Sequence, residues 1–104
     1  MTVKDEDDPQ TFSFTRELGL THTEFFRSLP PAISPRTFTV DDDVVRIDDK
    51  GRTVTIRLGP QQHRSIASLQ LPFLQVTFTF SGYATSEREA FMERFERYFQ
   101  RGGG

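Results

Sequence analysis

Two histidines are the side chains of this 104-residue chain best suited to acid–base chemistry near neutral pH. His22 opens a short predicted helix, where a surface position is expected. His63 stands in a polar run beside Arg64, and that run could line a site. Neither histidine has a nucleophile or metal-ligating partner close in sequence. We therefore assign no catalytic residue, and the sequence favours a protein that is not an enzyme, since catalysis would need residues that only the fold brings together.

Clustered aspartates form a second candidate site, at residues 41–43 and 48–49. Carboxylates grouped in this way can hold Ca²⁺ or Mg²⁺. Their spacing does not match a calcium-binding helix–loop–helix motif, and aspartate is also a common turn residue. Because the chain contains no cysteine, thiolate metal sites and disulfides are excluded. The sequence predicts neither a metal site nor a cofactor.

Hydroxyl-bearing residues alternate with apolar ones along several predicted strands, so one face of the sheet should be rich in threonine. Thr55, Arg57 and Thr77 fall on this face and, with His63 and Arg64, are the candidate ligand- or partner-binding residues. The alternative interpretation is an ordinary wet face made of good strand formers. A sheet that binds RNA would expose aromatic side chains, whereas here the aromatic residues alternate onto the opposite face.

The sequence ends in three glycines after Arg101. In its terminal Gly103-Gly104 pair the chain resembles small carrier proteins of the ubiquitin and sulfur-carrier type. The resemblance implies that an activating enzyme would adenylate the Gly104 carboxylate. In those families the tail follows the last strand of a β-grasp fold, whereas here it follows a predicted helix. The alternative interpretation is a helix C-cap followed by a frayed end.

The overall composition narrows the class of protein. The formal net charge is −2 and the isoelectric point about 5.6, which argues against a nucleic-acid binder. No apolar run approaches the ~20 residues of a membrane span, and an acidic start is unlike a signal peptide. We therefore expect a cytoplasmic protein. Eleven phenylalanines offset a modest hydrophobic content of 35%, so the core should be largely aromatic.

Two stretches carry the signature of a helix. Thr21 and Glu24 form a capping box, and Pro30-Pro31 should end that helix after two or three turns. A second capping box, Ser86 with Glu89, opens a predicted helix over residues 86–101. Alternating apolar residues predict strands in the remaining parts, over residues 11–18, 37–47, 53–58 and 73–81, with a further strand over 64–71. The strand over 37–47 is interrupted at residues 41–43 by a bulge or a turn.

These elements predict an α+β fold of order β-α-β-β-β-β-α. An antiparallel sheet of about four to five strands would carry both helices on one face. We expect a disordered acidic leader over residues 1–10, a single domain over residues 11–101 and a flexible glycine tail over residues 102–104. No known family is recognised across the whole chain.

The function that this pattern favours is a small binding or accessory protein that acts through protein–protein contact. An open sheet edge would serve a partner protein or a second copy of the chain. Two alternatives remain open. One is a carrier activated at its Gly-Gly end, and the other is a small-ligand binder or enzyme with a site near His63 and Arg64.

Overall fold

The computed structural model describes the backbone of residues 11–103 and the side chains of residues 11–99. The predicted leader and Gly104 therefore lie outside the described residues. Six strands and two helices follow one another as β1 (Thr11–Leu18), α1 (His22–Ile33), β2 (Thr37–Asp41), β3 (Val44–Asp49), β4 (Arg52–Leu58), β5 (Gln62–Ile66), β6 (Leu69–Ser81) and α2 (Thr85–Gly103).

The strands form one antiparallel sheet in the order β1-β6-β4-β3-β2, and β5 pairs with the first part of β6. Both helices pack on the same face, since apolar residues of α1, α2 and the inner side of the strands form one buried cluster. This confirms the predicted α+β class. We call the opposite side of the sheet, which the helices leave uncovered, the outer face.

Phenylalanine rings join the helices to the sheet. Phe78 of β6 meets Phe95 of α2 edge-on, with ring centroids 5.0 Å apart. Phe25 of α1 lies 6.3 Å from Phe95 and 5.1 Å from Phe99. Edge-to-face and offset pairs of this kind stabilise a core beyond the area that they bury. The expectation of an aromatic core is confirmed, and its centre is the contact between the two helices and β6.

The structure has one more strand than the predicted order because residues 41–43 form a turn. Asp41 pairs with Val44, which leaves Asp42 and Asp43 as the two residues of a hairpin loop. Asp42 has a φ of 58°, in the left-handed region that tight hairpins require and that aspartate tolerates better than most residues. The stretch predicted as one interrupted strand is therefore the two strands β2 and β3.

The predicted start of α1 is confirmed, whereas the end of α1 and the start of α2 differ from the prediction. The Thr21–Glu24 capping box is present, with the Glu24 amide donating to Thr21 Oγ1 at 3.1 Å. Helix α1 runs on through Pro30 and Pro31 to Ile33, and the Ser34 amide closes its last turn on the Pro30 carbonyl at 3.0 Å. At the start of α2, Glu87 rather than Glu89 accepts the return hydrogen bond, from the Ala84 amide at 2.9 Å.

Strands β4 and β5 lie end to end along β6, separated by a bulge at residues 59–61. Leu58 pairs with Val76 and Gln62 with Phe73, so the β4–β5 side has one residue more than β6. The Gln61 carboxamide fills the gap, because its Oε1 accepts from the His22 amide at 2.9 Å and its Nε2 donates to the Phe73 carbonyl at 3.3 Å. One side chain thus ties the bulge to the start of α1.

Beyond the bulge, β5 and residues 69–73 of β6 form a two-stranded ribbon that we call the arm. Ala67, with a φ of 55°, and Ser68 turn the chain at its tip. The prediction of one strand over residues 64–71 is therefore wrong, since this stretch contains the tip of a hairpin. The molecule is elongated, with principal extents of 55 × 30 × 26 Å.

We expect Phe95→Ala to lower the free energy of unfolding by about 3–5 kcal/mol, because it removes a fully buried ring that contacts β6 and both helices. Urea denaturation measures the change. The matched control is Arg97→Ala, two residues along α2 on the exposed side, which should change stability by less than about 0.5 kcal/mol. Equal effects of the two substitutions would show that the assigned faces of α2 are wrong.

Candidate functional site

The arm has one apolar and one polar side, which its register defines. Residues that pair across two antiparallel strands share a side. One side, called here the apolar side of the arm, consists of Gln62 with Phe73, Arg64 with Leu71, and Ile66 with Leu69. The other, called here the polar side, consists of His63 with Pro72 and Ser65 with Gln70.

The aliphatic residues on the apolar side are open to solvent. Ile66 is 50% exposed, Leu69 is 59% exposed and Leu71 is 41% exposed. Single exposed apolar residues are common, but contiguous ones mark sites of interaction. These three belong to two neighbouring cross-strand positions of one ribbon, so they form a contiguous patch.

The alternation of apolar residues changes phase within β6. Leu74, Val76, Phe78 and Phe80 have even numbers, and all are buried beneath the helices. In the arm the odd-numbered positions are apolar instead: Leu69, Leu71 and Phe73. Because successive side chains of a strand point to opposite sides, this switch places the apolar residues of the arm on the side away from the helix-covered core. Leu69 is the most exposed of the three, whereas Ile66 and Leu71 also line the cleft at the base of the arm, opposite Glu17, Gly19 and Glu24.

A cleft of about 420 Å³ lies where the arm meets the body, lined by Glu17, Gly19, Glu24, Arg64 and Phe73 among others. Arg64 Nη1 donates to Glu17 Oε2 at 3.1 Å, and its guanidinium lies 4.3 Å from the centre of the Phe73 ring. The ion pair is half exposed at both ends. Its geometry orients Arg64 along the arm, while its contribution to stability is small.

The outer face of the sheet is the wet, hydroxyl-rich surface that the sequence predicts. Thr15 and Thr77 are hydrogen-bonded across β1 and β6 at 2.9 Å, and Ser13 and Thr79 at 3.0 Å. Thr77 and Thr79 continue the odd-numbered side of β6 that carries the apolar residues of the arm. The outer face and the apolar side of the arm are therefore one continuous surface.

This surface holds four of the five predicted binding residues. Arg57 pairs with Thr77, Thr55 lies two residues before Arg57 on β4, and Arg64 faces the same side from the arm. His63 lies on the polar side and is not brought together with them. Whether any of the five binds a ligand or partner stays a prediction.

The carrier hypothesis concerns the end of the chain, of which the structure describes only a part. Helix α2 extends to Gly103, and Gly104 lies outside the described residues. Gly103 and Gly104 as a modification site therefore stay a prediction.

A buried carboxylate network is the feature that sequence analysis missed. Asp49 is only 8% exposed, and its Oδ2 accepts three hydrogen bonds. The donors are Arg36 Nε at 2.9 Å, Arg52 Nη2 at 2.8 Å and the Tyr83 hydroxyl at 2.8 Å. Arg52 Nη1 also contacts Glu87 Oε1 at 2.8 Å. The network ties the segment after α1, the β3–β4 hairpin and the start of α2 to a single point.

The network changes the pKa values of its members. Burial by itself would raise the pKa of Asp49, but the hydrogen bonds from Arg36 and Tyr83 and the two positive charges outweigh it, so the pKa is lowered. Burial, together with the hydrogen bond to Asp49, raises the pKa of Tyr83 to about 12. At neutral pH Asp49 is therefore ionised and Tyr83 is protonated, so the phenol can donate its hydrogen bond to the carboxylate.

A sequence signal for this network did exist. Asp49 follows Val45 and Ile47 at spacings of two, so the alternation of β3 already assigns it to the buried side. Its position before Lys50-Gly51 instead favoured a role in the turn. The partners Arg36 and Tyr83 come from distant parts of the chain, and only the fold brings them to Asp49. We interpret the network as structural, because its charges are mutually paired.

Among residues 11–99 no group of three or more histidine or acidic side chains is placed to hold a metal ion. Neither of the two described helices is long and apolar enough to cross a membrane. No protein-family model matches the chain, and no curated protein or solved structure matches it either. The continuous surface formed by the outer face and the arm is the candidate functional site.

We expect Asp49→Asn to lower the free energy of unfolding by about 3 kcal/mol, because two arginines lose their buried counter-charge. This value is the lower end of the range of about 3–5 kcal/mol for breaking a buried ion pair. We choose the lower end because Arg36 and Arg52 each keep 24% exposure and can recover some hydration. The control is Asp48→Asn, the exposed neighbour on the same strand, which should be near neutral. A near-neutral Asp49→Asn would contradict the role of the network in stability.

Alkaline pH should also weaken the network. An unfolded tyrosine titrates near pH 10, whereas Tyr83 in the folded chain titrates near 12. The stabilisation from its protonated hydroxyl is therefore complete below pH 10 and is lost as the pH rises from 10 to 12. We expect Tyr83→Phe to flatten this decline in denaturation midpoints, while Tyr98→Phe, on the exposed side of α2, leaves it unchanged. An identical decline in both variants would assign the effect to other groups.

Proposed function

We propose that this protein is a non-catalytic binding module and that its arm inserts into an apolar groove of a partner protein. The observation that supports the proposal is the phase change at Phe73–Leu74. Up to this point β6 directs its apolar residues to one side, and beyond it to the other. A strand whose apolar side faces solvent exposes surface that burial would stabilise.

The size of the apolar side favours a groove over a flat contact with a second copy. A stable interface typically takes about 20–30 residues from each partner. The apolar side of the arm offers six side chains, so two arms laid against each other would form an interface far below this size. A groove encloses a ribbon on one side and along both edges, and therefore buries more of it.

The edges of the arm fit such an enclosure. Within the arm β5 pairs only with β6, and β6 pairs only with β5, because β1 ends its pairing at Leu74. A two-stranded ribbon on its own has marginal stability in water. Pro72 lacks an amide donor in the part of β6 that has passed β1, which discourages unspecific strand pairing there. Binding in a groove would supply the missing contacts.

The proposed role needs no catalytic group. Arg64 and Glu17 at the base of the arm neutralise each other, and His63 faces the polar side. We propose the cytoplasm as the compartment, since a chain without cysteine needs no oxidising surroundings for its stability.

The test is site-specific photo-crosslinking in the organism of origin, with a photoreactive residue in place of Ser68 at the tip of the arm. We expect one discrete protein adduct, identified by mass spectrometry, and no adduct from the same residue placed at Thr23 on the exposed side of α1. In the Leu69→Asp/Leu71→Asp background the Ser68 adduct should fall at least tenfold, because two charges would enter an apolar groove.

A matched control changes the other side of the arm by the same charge. Ser65→Asp/Gln70→Asp should retain the adduct, and all variants should keep the melting temperature of the parent. An adduct between two copies of this chain, equal adducts from Ser68 and Thr23, or no adduct at all would each contradict the proposal.

A further inference from the structure

Two arginines on the outer face have no acidic partner among the residues that the structure describes. Of the five strand arginines, Arg16, Arg52 and Arg64 each form an ion pair with a carboxylate at 2.8–3.1 Å. Arg46 of β3 and Arg57 of β4 are exposed and form no ion pair within the described part of the chain. Within residues 11–99, two guanidinium groups are therefore without a counter-charge and could bind an anion.

The spacing of the two arginines fits an extended chain. Arg46 pairs directly with Thr55, and Arg57 lies two residues further along β4, so the two arginines are diagonal neighbours about 7–8 Å apart. In an extended segment, side chains on one side repeat every two residues, or about 6.8 Å. Carboxylates at alternate positions of such a segment would meet Arg46 and Arg57 in turn, and Arg favours planar two-point contacts with carboxylates.

This pair lies on the surface that carries the apolar side of the arm. Arg57 pairs with Thr77 on β6, and Leu71 lies six residues earlier on the same side of that strand. At ~3.3 Å per residue the separation is about 20 Å. A partner whose groove holds the arm can therefore reach both arginines with a neighbouring segment.

The chemistry of the outer face favours an acidic protein segment over a nucleic acid. The hydroxyls of Thr55 and Thr77 flank the arginines, and the outer face offers no aromatic ring there on which a base could stack. Asp41 and Asp48 face the same side toward its margins, and a net charge of −2 gives no long-range attraction for a polyanion. Among the described residues, the unpaired positive charge of this face is that of Arg46 and Arg57, and a short acidic segment is long enough to contact both.

We infer that the partner carries an extended acidic segment, with Asp or Glu at alternate positions, that lies across Arg46 and Arg57. The inference rests on the proposed function and names the chemistry of the partner. The Thr55 hydroxyl lies beside Arg46, and the Thr77 hydroxyl, which is hydrogen-bonded to Thr15, lies beside Arg57. Two exposed ion pairs give weak affinity by themselves, so the segment adds specificity to a complex that the arm holds.

The test uses a capped octapeptide of alternating glutamate and serine, with a glutamine–serine peptide as the uncharged control. It is titrated at low salt into the ¹⁵N-labelled full chain, and amide shifts are followed. We expect shifts confined to Arg46, Thr55, Arg57 and Thr77, and the control peptide should bind at least threefold more weakly. The variant Arg46→Gln/Arg57→Gln should weaken binding roughly three- to tenfold.

Arg27→Gln is the matched control, since Arg27 is an exposed helix arginine that likewise has no ion pair among the described residues. It should leave peptide binding unchanged. Equal loss in both variants, shifts spread over the whole surface, or tighter binding of a single-stranded RNA to the same residues would overturn the inference. The arm variant Leu69→Asp/Leu71→Asp should still bind the peptide, so failure of the groove proposal and failure of this inference are separable.

Discussion

The buried side of β6 is the constraint on which the rest of the structure depends. Leu74, Val76, Phe78 and Phe80 have no exposure, and Phe95 and Phe91 of α2 meet the rings of Phe78 and Phe80 edge-on. The same stretch pairs with β1 on one edge and β4 on the other. A shift of one residue in either pairing would turn the phenylalanines toward water, so the register of the central sheet is fixed by what β6 buries.

The Asp49 network completes this arrangement at one end of the sheet. Its carboxylate accepts hydrogen bonds from two guanidinium groups and one hydroxyl, which come from three separate segments of the chain. At the other end the Gln61 carboxamide performs a similar task with neutral hydrogen bonds. The two devices hold α1 at both of its ends, while the phenylalanine core supplies most of the stabilisation.

The sequence was informative where the pattern is local. The Thr21 capping box, the alternation of β1 and β4 and the amphipathic α2 each depend on neighbours within a few residues, and all could be read directly. The arm could not, because a change of phase at Phe73–Leu74 resembles the boundary between two strands. Asp49 was missed for a different reason: its partners lie 13 and 34 residues away along the chain. Of the candidate residues, Thr55, Arg57 and Thr77 were assigned to one face because alternation assigns sides, and Arg64 was chosen because it stands in a polar run. The exposure of Ile66 and Leu69 depends instead on where the helices stop.

Because of the phase change, the arm part of β6 and its buried part can each change the side that they present without affecting the other. A strand encodes its sides only by the parity of residue numbers. An insertion of a single residue between Phe73 and Leu74 would rotate every side chain of the arm to the opposite side and leave the buried residues of the body in place. One inserted residue would thus turn the apolar side of the arm to the opposite direction without any change to the core.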